Sequence, residues 1–164
     1  MTGELTDDEE ATMTTTADSR PPALQPLTGP VPGYAQTLSL SPSSVAVARM
    51  SVRTTLACWD LEGMTDDVVS VVSELVTNAV QHARPAGAPP EEPGRCRLTL
   101  ERPEPATVWV SVADPSRRRV VRREPDDSAE SGRGLAVVDG LAARWLVQPS
   151  RTGKTVWVEL RADV

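Results

Sequence analysis

Phenylalanine is absent from this 164-residue chain, and there is a single tyrosine. Four tryptophans and many valines must therefore supply the bulk of any core, and a hydrophobic content of 39% is enough for one modest domain. No apolar run approaches the roughly 18 residues of a membrane span. The acidic N-terminus also lacks the basic start and apolar run of a signal peptide. These absences predict a cytoplasmic protein that does not contact a membrane.

Residues that bind metals through nitrogen or sulfur are scarce. His82 is the only histidine, and the two cysteines, Cys58 and Cys96, fit no metal-site spacing and no disulfide framework. We expect both thiols to be reduced and part-buried, and His82 to lie at the surface or at a helix end.

Negative charge is concentrated at the start of the chain. Residues 1–20 carry six acidic side chains and one arginine, which accounts for five of the six net negative charges. The rest is nearly neutral and lacks the broad basic surface of a nucleic-acid-binding protein. Residues 1–33 are also rich in Thr and Pro and poor in apolar side chains, which predicts a disordered tail before a folded domain at 34–164.

Hydrophobic periodicity predicts eight elements in the order β-α-α-β-β-α-β-β, an order that suggests an α+β fold with one sheet covered by helices on one face. Ser41 and Thr65 are the expected N-caps of the first two helices, and the second helix should run to about Ala83. The predicted strands lie at 34–40 and near 95–101, 107–113, 144–148 and 154–161, and the third helix at about 134–143.

The second predicted helix carries the sharpest chemical pattern. Glu74 and Asn78 are four residues apart, so they share one face, opposite the apolar stripe. An amide oxygen is a suitable Mg²⁺ ligand, and a carboxylate can accept a proton. A simple solvated polar face would show the same spacing.

Three further features are each weak alone. Asp114 ends an apolar strand, where it could bind a ligand or cap the turn at Pro115. Gly132-Arg133-Gly134-Leu135 precedes a helix, a setting that suits phosphate but is also an ordinary turn. Residues 153–155, Gly-Lys-Thr, are not a P-loop, because Gln148 stands where the first glycine is required and a strand follows instead of a helix.

Taken in order, these segments resemble the GHKL superfamily of ATP-binding domains, and most closely the single-domain anti-sigma-factor serine/threonine kinases. Residues 74–83 resemble the family's N-box, Asp114 the aspartate of its G1 box, 130–135 its G2 box and 153–155 its terminal glycine-threonine element. The likeness covers about residues 34–161. It departs where Pro115 and Ser116 replace the glycines that often follow the aspartate, and at Leu146, where a small residue is expected.

The resemblance implies a Bergerat ATP-binding fold, a two-layer α/β sandwich with a mixed sheet, and ATP and Mg²⁺ as ligands. Glu74 would be the general base, Asn78 would bind Mg²⁺, and Asp114 would accept a hydrogen bond from adenine, supported by Thr155 through water. The triphosphate would lie along Gly132, Arg133, Gly134 and Leu135, under a lid formed by residues 115–131.

The implied function is sequestration of a sigma factor or related regulator, with phosphorylation of a serine or threonine on an antagonist protein. A non-catalytic partner-switching module is the alternative, and the catalytic domain of a histidine kinase is a weaker one. The arginine-rich run 117–123 could meet phosphate or an acidic partner, or be solvated. The identity of the sigma factor and the formation of a homodimer stay open.

Overall fold

The computed structural model describes residues 30–84, 87–117 and 133–163, with the side chains of Arg133 and Gly134 left out. Most of the disordered tail expected at residues 1–33 and most of the expected lid therefore lie outside the described residues. The described elements are β1 (Gly33–Ser39), α1 (Ser43–Cys58), α2 (Thr65–His82), β2 (Arg95–Glu104), β3 (Thr107–Asp114), α3 (Arg133–Leu141), β4 (Arg144–Pro149) and β5 (Lys154–Arg161).

The five strands form one sheet in the order β1-β2-β3-β5-β4, and every neighbouring pair is antiparallel. The prediction of a mixed sheet was therefore wrong. Strands β3 and β4 do run in the same direction, as expected on either side of a connecting helix, but β5 lies between them and pairs with both. The α+β class and the two-layer arrangement are confirmed.

The core lies between the sheet and a layer of three helices. Helix α2 packs against α1 and α3, and it also contacts β2, β3 and β5. Alternate residues of each strand point toward this layer. The residues that are less than 2% exposed include Leu56, Val68, Val72, Leu98, Val110 and Leu160, which come from both layers.

The first two helices begin differently from the prediction. Pro42, not Ser41, occupies the N-cap position of α1, and its side chain can accept no hydrogen bond from the helix. A single 3₁₀ turn at Glu62–Met64 runs directly into α2, so Thr65 lies inside the helix and Met64 is the N-cap. Asp66 and Asp67 still occupy the first turn of α2, where negative charge is favourable.

The opposite face of the sheet, here called the helix-free face, has its own apolar cluster of Trp109, Trp157 and Leu146. Beside it Glu159, 2% exposed, accepts hydrogen bonds from Trp109 Nε1 at 3.0 Å, Arg144 Nε at 2.9 Å and Arg161 Nε at 2.7 Å. Burial raises the pKa of Glu159, but these three donors outweigh burial and hold the pKa below its ordinary value. None of the helices in the described ranges has the length and apolarity needed to cross a membrane.

Candidate functional site

Helix α2 holds Glu74 and Asn78 on the flank of its buried stripe. The stripe, including Val68, Val72, Leu75 and Ala79, is at most 3% exposed and anchors the helix on the sheet. Glu74 and Asn78 are both partly buried, and within the described residues neither side chain has a hydrogen-bond or ion-pair partner. Both side chains are therefore positioned by the helix and uncommitted, as ligand-binding groups would be.

A contact that the sequence pattern did not indicate fixes the neighbour of Glu74. Ser73 is 7% exposed, and its Oγ donates to the carbonyl of Val69 at 2.6 Å and accepts from Arg49 Nε at 2.7 Å. Because Arg49 belongs to α1, this contact ties α1 to α2 at the residue before Glu74. Serine in a helix commonly bonds the preceding turn, but the arginine partner lies 24 residues away and leaves no local signal.

Asp114 is the last residue of β3, and its side chain is 5% exposed. Its Oδ1 accepts from the backbone N–H of Ser116 at 2.7 Å and from Lys154 Nζ at 3.2 Å. The first contact is the turn-capping role that the sequence left open. Both contacts use the same oxygen, and no described residue bonds to Oδ2. The carboxylate is thus held by one oxygen while the other remains available to a ligand.

The segment before β5 is built around Asp114. Gly153 is buried, and a Cβ built on it would overlap the backbone carbonyl of Asp114, so only glycine permits this approach. The next residue, Lys154, pairs with Asp114 in the β3–β5 ladder, and its side chain is 11% exposed. Burial, and secondly the negative charge of Asp114, raise the pKa of the Cys96 thiol to about 11. Asp114 therefore sits at the edge of the core with its charge balanced by Lys154.

The structure separates Thr155 from Asp114. Val156, Val158 and Leu160 of β5 belong to the core between the layers, so alternation places Lys154 on that side and Thr155 on the helix-free face. Thr155 is paired with Ala113, one residue before Asp114. Lys154, which the sequence analysis gave no role, occupies the position beside the carboxylate. The expected role of Thr155 at adenine, through water, stays a prediction.

The glycine-rich segment is only partly described. Gly132 lies outside the described residues, while Arg133 and Gly134 are the first residues of α3. The side chain of Leu135 is 8% exposed. At the start of the predicted lid, Ser116 is buried, and Arg117 Nη2 donates to the carbonyl of Arg151 at 2.7 Å, which ties the lid's first residues to the turn before β5.

The described residues contain no group of three or more histidine, cysteine, aspartate or glutamate side chains that could hold a metal ion. A magnesium ion at Asn78 would therefore need ligands from a bound phosphate, which is the usual arrangement for this ion in phosphoryl-transfer sites. The uncommitted amide of Asn78 fits that requirement, because its oxygen is a hard ligand of the kind that Mg²⁺ prefers.

Comparison with known proteins identifies the family. Residues 38–160 match the family described as Histidine kinase-like ATPase domain. No curated protein matches the chain. The chain therefore belongs to the Histidine kinase-like ATPase domain family, and the resemblance to the GHKL superfamily of ATP-binding domains is confirmed.

Two solved structures match this chain to different degrees. The crystal structure of the RsbU and RsbW domains of Rv1364c from Mycobacterium tuberculosis has a TM-score of 0.55 and 22% identity, and the match covers 81% of this chain and 33% of that one. This chain spans about a third of that structure's length, and at this identity the likeness shows the fold alone. The histidine kinase domain from the Erythrobacter litoralis EL346 blue-light activated histidine kinase has a TM-score of 0.37 and 18% identity, and the match covers 76% of this chain and 61% of that one.

Proposed function

We propose that this protein binds ATP with Mg²⁺ and works as a regulatory kinase. It would sequester a sigma factor or related regulator, and phosphorylate a serine or threonine of the antagonist protein that releases that regulator. The observation that carries the proposal is Asp114, a buried carboxylate with one oxygen fixed and the other without a described partner. It lies at the strand end where the resemblance to the GHKL family predicts that adenine binds.

Asp114 supplies the chemistry of adenine selection. An ionised carboxylate only accepts hydrogen bonds, and adenine presents an amino donor where guanine presents a carbonyl. The Oδ2 atom can therefore accept from adenine, whereas a guanine carbonyl would face it with repulsion between two acceptors. Lys154 and the N–H of Ser116 hold Oδ1 and so limit rotation of the carboxylate.

Asn78 and the segment 132–135 would bind the phosphates of ATP, Asn78 through Mg²⁺. The amide oxygen of Asn78 would hold Mg²⁺, which neutralises phosphate charge when it is bound. Arg133 and Gly134 are the first residues of α3, where backbone N–H groups and the helix dipole favour an anion, and Gly132 precedes them in the sequence. This assignment follows from the resemblance and the helix boundary.

Glu74 would act on the acceptor hydroxyl. Its carboxylate accepts the proton of a serine or threonine side chain as the hydroxyl oxygen attacks the γ-phosphorus of ATP. The bond between that phosphorus and the bridging oxygen breaks, and ADP leaves. A helix that is anchored along its buried stripe keeps Glu74 one turn from Asn78, so the proton acceptor and the phosphate-binding group keep a fixed separation.

A non-catalytic binding module remains the second candidate, and one observation favours it. The charge of Asp114 is already balanced by Lys154, and its Oδ1 already caps the turn by accepting from the backbone N–H of Ser116, so Asp114 has a structural role without any nucleotide. In such a module partner exchange would be the whole function.

Matched substitutions on α2 test the kinase against the module. Asn78→Ala should weaken binding of Mg-ATP in titration calorimetry and abolish transfer from radiolabelled ATP to antagonist proteins encoded beside this gene. Gln81→Ala is the control, since it removes an exposed amide three residues further along the same helix. Glu74→Gln should bind ATP like the wild type but lose transfer by about 10²–10⁴-fold, the range for a general base. Glu62→Gln, at an exposed carboxylate before α2, is its control.

The outcomes separate the candidates. Wild-type binding of ATP, with no transfer to any antagonist that displaces the regulator, supports the module over the kinase. Transfer at the wild-type rate by Glu74→Gln removes Glu74 from catalysis. Absence of ATP binding by the wild-type protein contradicts both the ATP site and the kinase.

A further inference from the structure

The helix-free face of the sheet is not a typical solvent-facing surface. An antiparallel sheet with one wet face normally carries polar side chains there. Here the strand register brings Trp109 beside Glu101 and Glu159, and in the next row brings Trp157 between Ser111 and Leu146. Two of the chain's four tryptophans thus lie in the middle of this face.

These side chains are as buried as the core. Trp109 is 5% exposed, Trp157 8% and Ser111 6%. The neighbouring strands can cover the flanks of a large ring on a sheet but not its outer surface. No residue of the described helices belongs to the Trp109–Trp157–Leu146 cluster. The described helices therefore do not cover this face, which leaves its cover to side chains of the sheet and to other parts of the chain.

Trp157 also points to the chemistry of the cover. Its indole Nε1 is buried and, among the described residues, has no hydrogen-bond partner. A buried donor left unpaired costs about 1–3 kcal/mol, so a cover that offers an acceptor is favoured. Tryptophan surfaces with a free indole N–H are the kind that bind proline-rich segments, whose extended backbone presents carbonyls that no internal hydrogen bond uses.

The chain contains such a segment shortly before β1 in the sequence. Residues 21–29 read Pro-Pro-Ala-Leu-Gln-Pro-Leu-Thr-Gly, and they end just before β1, the edge strand of the sheet. The backbone N–H of Arg102 donates to the carbonyl of Pro32 at 2.9 Å, so the chain is still held beside β2 one residue before β1 begins.

We propose that the proline-rich segment 21–29 lies across the helix-free face, with Leu24 and Leu27 against Trp109 and Trp157 and a backbone carbonyl accepting from Trp157 Nε1. This proposal replaces the expectation that residues 1–33 stay apart from the fold, and it does not rest on the proposed kinase function.

The reach of the chain is sufficient. Strands are about 4.8 Å apart, so Trp157, three strands from β1, lies about 14 Å across the sheet. The six residues from Leu27 to Gly33 span up to about 20 Å when extended. Charge also agrees, because the exposed side chains of Arg95 and Arg97 lie on this face and the segment is preceded by the acidic residues 4–18.

A second surface near the same point is less suitable. An open groove of about 450 Å³ between β1 and α1 is lined by Tyr34, Met50 and Cys58, among others. Met50 is 71% exposed and Cys58 is exposed, so this groove is open in the chain, whereas the tryptophan face is covered. Cys58 therefore serves as a natural reporter for the groove.

The test uses the full-length protein labelled with 5-fluorotryptophan, whose four fluorine resonances are assigned by single Trp→Phe variants. Leu24→Ser with Leu27→Ser removes the proposed apolar contacts, and Ala11→Ser with Met13→Ser is the matched control outside the segment. Shifts between H₂O and D₂O report exposure, thermal unfolding reports stability, and the alkylation rate of Cys58 reports the groove.

We expect the Leu24/Leu27 variant to shift the Trp109 and Trp157 resonances, to raise their solvent isotope shifts at least twofold, and to lower the unfolding midpoint by several degrees. Trp59, Trp145 and Cys58 should be unchanged, and the control variant should resemble the wild type. Unchanged Trp109 and Trp157 resonances would overturn the proposal. Faster Cys58 alkylation without a change in the tryptophan resonances would place the segment in the groove. Tryptophan shifts that depend only on protein concentration would mean that a second copy covers the face. Either result contradicts the proposal.

Discussion

Replacing Asp114 by Asn tests the adenine site most directly. The substitution keeps the size of the side chain and an oxygen for the N–H of Ser116, but it removes the charge and can place an amino group where Oδ2 accepts. Hydrogen bonds to charged groups contribute about 1.5–3 kcal/mol. Titration calorimetry should therefore show ATP binding weakened about 10- to 100-fold, and a smaller preference for ATP over GTP.

The same substitution should also affect folding, because it leaves Lys154 without a counter-charge. The Lys154 side chain is only 11% exposed, and leaving a buried charge unpaired costs up to about 3 kcal/mol. A weaker ATP affinity could then reflect a loosened site. The double variant Asp114→Asn with Lys154→Met removes both charges, and such paired removal is often neutral for stability.

The stability and the ATP affinity should therefore respond differently to the double variant. Urea unfolding should show Asp114→Asn destabilised and the double variant restored to within about 1 kcal/mol of wild type, while Lys154→Met alone completes the cycle. ATP affinity should stay low in the double variant. If the double variant recovers both stability and wild-type ATP affinity, Asp114 serves only the fold and the adenine assignment is refuted.

Three further outcomes follow from the described contacts. Glu159 has a lowered pKa, so its contribution to stability is present above its ordinary pKa of about 4.3 and is lost as the pH falls through the lower folded-state value. The unfolding curves of the wild type and Glu159→Gln should therefore converge below that folded-state pKa. A difference in stability between the two proteins that stays constant with pH would contradict the ion pairs. Cys58 should react with iodoacetamide at pH 8 while Cys96, buried and with a pKa of about 11, should not, so mass spectrometry of the native protein should show one adduct. Gly153→Ala should destabilise by about 1–3 kcal/mol, because the new methyl group meets the Asp114 backbone, and an unchanged unfolding midpoint would show that this approach is not required.

Much of the fold was predictable because its elements are encoded locally. The apolar stripe of α2 has a clear helical period, and the strands β3 and β5 are rich in valine and tryptophan. The helix starts were less predictable. Ser41 and Thr65 are good capping residues in isolation, but the 3₁₀ turn before α2 and Pro42 before α1 took the cap positions.

The long-range contacts of the site were not predictable. Lys154 and Asp114 are 40 residues apart, and Arg49 and Ser73 are 24 residues apart. Such pairs depend on strand register and helix packing, which composition and periodicity do not report. The prediction of a mixed sheet was wrong for a related reason. Strand β5 lies between β3 and β4, and this order is a property of the topology that no single segment of the sequence indicates.

The contrast between α2 and β5 shows how far spacing along the sequence can place a side chain. On a helix, Glu74 and Asn78 share a face because they are four residues apart, and a one-residue error turns a side chain by only about 100°. On a strand, a one-residue error moves a side chain to the opposite face. The role of Thr155 was an implication of the resemblance, and the alternation that buries Val156 and Val158 puts Lys154 beside Asp114. In this chain a cation therefore binds directly to the carboxylate that is predicted to select adenine.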